Sequence, residues 1–90
     1  MTEKSEQKKK VRTLRRMIDD VNKKRNKAVS NGNKASRKMT QLIYAGKGHT
    51  KEYKDFRDRY EKMGEEANRC SRLVDIFTKR YEKEADKLYN

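Results

Sequence analysis

Apolar and small side chains recur along this chain in alternating steps of three and four. The first run is Val11, Leu14, Ile18, Val21, Ala28, Ala35, Met39 and Leu42; the second is Tyr53, Phe56, Tyr60, Met63, Ala67, Cys70, Val74, Phe77, Tyr81 and Leu88. A repeat of about 3.5 residues draws one narrow stripe along a helix, whereas a strand needs a repeat of two. Arg25 and Gly32 interrupt the first run, and Glu84 interrupts the second. The pattern predicts an all-α chain with two long helices, each carrying a single seam for one partner.

Between the runs lies Ala45-Gly46-Lys47-Gly48-His49-Thr50. Glycine suits the residue after a helix end, and threonine suits the cap of the next helix. Folding the chain here brings Leu42 to Tyr53, Met39 to Phe56, Ala35 to Tyr60, Gly32 to Met63, Ala28 to Ala67, Val21 to Val74, Ile18 to Phe77 and Leu14 to Tyr81. Sizes are complementary along this register, because glycine meets methionine and alanine meets tyrosine. The expected fold is a long antiparallel two-helix coiled-coil hairpin: a helix over about 5–45, a loop at 46–49 and a helix over about 50–88. It forms a single domain across residues 1–90, with residues 1–6 expected to be flexible.

Asn31-Gly32-Asn33 is poor helix material in the middle of the first run. A turn there would give a three-helix chain with a break near Asn31. Against that stands the phase of the seam, since Ala35, Met39 and Leu42 stay in step with Val11 to Ala28. One continuous helix of roughly 60 Å is the favoured reading.

Only 31% of the 90 residues are hydrophobic and 44% are charged, with a net charge of +12. Such a balance is shared with disordered chains, and it leaves a hairpin little to bury. Met17, Leu73 and Ile76 lie off the seam, near the open end of the hairpin. They form the expected self-association surface, through which a homodimer would make a four-helix bundle.

Charge is distributed unevenly. Residues 1 to 49 hold 15 Lys or Arg against 4 Asp or Glu, residues 50 to 90 hold 11 against 10, and no acid falls between Asp20 and Glu52. With Val11 as the first heptad position, Lys9, Arg16, Lys23, Ser30 and Arg37 fall on the line facing away from the partner helix. Arg12, Arg15, Lys24, Lys27, Lys34 and Lys38 flank it. The result is a cationic stripe spread over about 28 residues, roughly 40 Å long. Asn26, Ser30, Asn31 and Asn33 are interleaved, and their side chains can donate to phosphate oxygens.

This pattern predicts a non-enzymatic binding protein whose first helix contacts nucleic-acid phosphates through Lys9, Arg12, Arg16, Lys23, Lys24, Lys27, Lys34, Arg37 and Lys38. Strong sequence specificity is not expected. The spacing of Asn33, Ser36 and Arg37 differs from the basic region of leucine-zipper factors, and the seam aromatics are core residues rather than stacking platforms. The alternative is a protein–protein interaction module that docks the same basic face onto an acidic protein. An adaptor, an assembly factor or a small inhibitor of viral or mobile-element type would fit it.

Enzyme chemistry has little footing. The single histidine, His49, stands in the glycine-flanked loop, and Gly-Lys-Gly-His-Thr is not a phosphate-binding P-loop. Cys70 is the only cysteine, so neither a disulfide framework nor a cysteine zinc site is available. It is read as a small buried seam residue opposite Arg25. The acids around Glu65 and Glu82 alternate with Lys and Arg, without calcium-loop spacing. No metal, cofactor or small-molecule substrate is therefore expected. No apolar run approaches the ~20 residues of a membrane span, and the N-terminus lacks an apolar signal segment, so the expected location is cytoplasmic.

Overall fold

Two continuous helices carry the two seams. A computed structural model describes residues 3–89, with α1 over Glu3–Tyr44 and α2 over Lys51–Tyr89. The pair measures 66 × 16 × 15 Å. At 1.5 Å per residue the 42 residues of α1 span about 63 Å, so the rod is about as long as one of its helices. The chain is fully doubled back, as the seams require. α1 starts two residues ahead of the expected boundary. Residues 3–6 form its first turn, and the rest of the expected flexible lead-in, Met1 and Thr2, lies outside the described residues.

The bend follows from two residues. Gly46 takes φ = 75°, the left-handed conformation that a side chain resists. Two bonds then close over the end of α1: Lys47 N–H donates to Leu42 O at 2.7 Å, and Gly46 N–H donates to Ile43 O at 3.0 Å. Those are the two bonds of a Schellman cap, which satisfies carbonyls that the last turn would otherwise leave open. Thr50 starts α2. Its hydroxyl accepts from Tyr53 N–H at 3.3 Å and donates to Lys47 O at 2.8 Å. One glycine and one threonine thus set both helix ends within six residues.

The waist is where the helices approach most closely. Ala28, Gly32 and Ala35 of α1 and Cys70 of α2 are the buried residues. A methyl group built on Gly32 would sit 3.4 Å from Met63 Cβ, which confirms that these two positions face each other. α1 runs unbroken through Asn31-Gly32-Asn33, so the three-helix alternative is excluded. The glycine permits approach to α2 rather than a turn. Its intrinsic cost of about 1 kcal/mol against alanine is absorbed within a long helix.

Cover along the seam is uneven. Tyr60, at the position facing Ala35, is 47% exposed, while Ala35 is 5% exposed. Phe56 and Met63, one turn to either side, line the space beside Ala35.

Glu84, which interrupts the second seam, has a partner. Gln7 Nε2 donates to the Glu84 backbone carbonyl at 2.7 Å and to its carboxylate, while Lys87 Nζ lies 3.4 Å from the second carboxylate oxygen. Gln7 thereby ties the first turns of α1 to the last turns of α2. The Gln7 hydrogen bond holds the Glu84 carboxyl below its ordinary value of 4.5, helped by Lys87 and Lys10 and opposed by partial burial.

The core is thin. Among the described residues no large side chain is fully buried, and the chain exposes 7459 Å². A globular monomer of 10.8 kDa would expose roughly 5,500 Å². Much of the apolar seam is therefore only half-covered by its single neighbouring helix.

Candidate functional site

All nine cations singled out on α1 are exposed: Lys9, Arg12, Arg16, Lys23, Lys24, Lys27, Lys34, Arg37 and Lys38. Their placement follows from the seam. Residues two or five positions from a seam residue point away from α2, and Lys9, Arg16, Lys23 and Arg37 fall at intervals of seven or fourteen along one outer line. Because α1 is continuous, that line is uninterrupted over the whole basic run.

These cations are not neutralised locally. Among the described residues the ion pairs are Arg69–Glu66 at 3.0 Å and Lys87–Glu84 at 3.4 Å, both within α2. Both are spaced three residues apart on one helix and reach into solvent, where such pairs contribute little. α1 has no ion pair, and its only acids, Glu3, Glu6, Asp19 and Asp20, precede the central part of the stripe. Positive charge crowded on one face of a narrow rod raises the local potential and attracts polyanions over a Debye length of about 8–10 Å.

At the waist, uncharged hydrogen-bonding groups join the cations. Asn26, Ser30 and Asn33 line a shallow depression of about 260 Å³ with Val29, Lys34 and Arg37. The interleaved amides and hydroxyl of the sequence are thus brought together on the outer face of α1. Asn31 lies apart from them, toward α2. It borders a second and larger cleft of about 570 Å³, floored by Ala35, Phe56 and Met63 and edged by Lys34, Arg37, Lys38, Gln41 and Arg59.

That cleft was not legible in the sequence. Its far edge comes from α2, outside the basic run. Arg59 lies over the Phe56 ring, with its guanidinium carbon 5.5 Å from the ring centroid. Cation–π contact orients the guanidinium there and keeps it off the nearby acids of α2.

The three residues expected to mediate self-association are all exposed: Met17 at 37%, Leu73 at 41% and Ile76 at 48%. The observed register places Met17 opposite Thr78, within about a turn of Ile76. They form one apolar edge rather than a thickening of the core. Cys70 is buried at 4% exposure, as a small seam residue should be. His49 is exposed in the loop. Among the described residues no group of three or more His, Cys, Asp or Glu is placed to hold a metal ion, and no helix is long and apolar enough to cross a membrane.

No family profile matches this chain, and no curated protein or solved structure is significantly similar to it. The functional reading therefore rests on the geometry and charge of the hairpin.

Proposed function

We propose that the hairpin is a non-enzymatic binding protein whose α1 face engages nucleic-acid phosphates without strong sequence specificity. The observation that carries this reading is the exposed and unpaired row of cations along a continuous helix, free of acids from Val21 onward. Release of condensed counterions from a polyanion supplies the affinity, and straight geometry supplies the reach. Asn26, Ser30 and Asn33 add neutral donors that fix position along the backbone. A rod with few buried side chains has little rigid structure for catalysis to use, but a binding face on one helix needs only that helix.

Fluorescence anisotropy with a labelled mixed-sequence oligonucleotide tests the reading. Replacing Lys23, Lys27, Lys34 and Arg37 together by Gln is expected to weaken binding by at least a hundredfold at low salt, with helicity by circular dichroism unchanged. A protein docking on the same face is the competing partner. Polyglutamate that binds as tightly as the oligonucleotide would favour it and count against the nucleic-acid reading.

The apolar edge of Met17, Leu73 and Ile76 gives the same molecule a second surface, which we assign to self-association into a four-helix bundle. Surplus exposed area supports this, since a second copy covers what one neighbouring helix leaves open.

A further inference from the structure

We propose that the cleft beside Ala35 accepts one unpaired nucleobase, so that the chain prefers single-stranded over duplex nucleic acid. This rests on the phosphate-binding reading above and adds to it the form of the polymer. Three features of the cleft support it.

The first is an apolar floor with a flat cation at its side. Ala35, Phe56 and Met63 form the floor, and the Arg59 guanidinium lies 5.5 Å from the Phe56 ring centroid. Unstacked bases settle on guanidinium planes, and the Arg59 guanidinium, held over the Phe56 ring, offers its outer face. The volume, about 570 Å³, falls within the ~300–1,000 Å³ of ordinary small-ligand sites.

The second feature is charge. No acid lines the cleft, and its α1 edge is Lys34, Arg37 and Lys38, which also belong to the outer stripe. A strand whose phosphates follow α1 necessarily passes the mouth of the cleft. The third is two amides on the same edge, Asn31 and Gln41, about 15 Å apart at opposite ends of the cleft. Either carries donors and an acceptor, which match the mixed edge of a base lying at its end. An acidic peptide would use the cations but has no need of those amides. A duplex keeps its bases stacked internally and leaves the apolar floor open to water.

Anisotropy at one low ionic strength, with the full chain, compares three probes of equal length: a mixed-sequence single strand, the same strand made abasic throughout, and a duplex. The base-bearing single strand is expected to bind about tenfold tighter than the abasic strand, and tighter than the duplex. Arg59→Gln should bring the base-bearing and abasic strands to within about twofold of each other. Arg16→Gln, which removes one charge far from the cleft, should weaken both by the same factor. Equal binding of the base-bearing and abasic strands by the unaltered chain would overturn the base site while leaving the phosphate reading intact. Failure to bind any of the three would overturn both. Tight binding of a Glu-rich peptide containing Phe, with no binding of any strand, would likewise overturn both and give the cleft to a protein partner.

Discussion

Glu84 shows how one misplaced carboxylate can be made useful. A charge on an apolar seam is costly unless it is paired, and Gln7, from the opposite helix, provides the bonds. Those bonds favour the ionised carboxylate, so the folded chain keeps it charged to lower pH than the unfolded chain does. The stabilisation is complete above the ordinary value of 4.5 and is lost as pH falls through the depressed folded value. Carbon NMR titration of the Glu84 carboxyl should therefore give a midpoint below 4.5, and Gln7→Ala should move it upward. A midpoint at or above 4.5 in the unaltered chain would mean that the open end is not tied in solution. Glu84 stood out in the sequence as the break in the second run, but its partner Gln7 did not, because a polar pair across two helix ends has no periodic signature.

At the scale of the elements, glycine plays opposite parts in the two halves of the hairpin. Gly46 lies in the left-handed region after α1, where any side chain strains the backbone. Gly64 lies inside α2, and a methyl group there would meet nothing within 4 Å. Gly46→Ala is expected to destabilise the hairpin by about 1–2 kcal/mol, and Gly64→Ala to stabilise it by about 0.5–1 kcal/mol. Urea denaturation followed by circular dichroism distinguishes the two. Equal effects of the same sign would refute the helix-end assignment. Helix extents, loop and register were readable in advance because heptad phase, Gly46 and Thr50 all point to the same bend. The waist was readable only in part. Gly32 kept the seam in phase and α1 unbroken, but a one-dimensional pattern cannot show how much of the seam a single neighbouring helix leaves open, and the cleft edged by Arg59 lies where the pattern implied filled space.

The whole molecule is a thin rod with a long cationic face on α1 and a short apolar edge near its open end. Each helix has one neighbour, and ordering costs per residue rival the burial gained. Sedimentation equilibrium should accordingly show association that strengthens with concentration, and Ile76→Glu should shift it toward monomer. A concentration-independent monomer would show that the Met17, Leu73 and Ile76 edge does not self-associate. The cationic face was the most legible functional feature of the sequence, since it needs only a helix and a charge count. What it binds is a matter of polyanion chemistry. The most direct test is the salt dependence of oligonucleotide binding. If five or more α1 cations contact phosphates at once, the logarithm of the single-strand association constant falls against the logarithm of salt concentration with a slope of about −3.5 or steeper. A slope near zero, or no binding even at low ionic strength, contradicts the account.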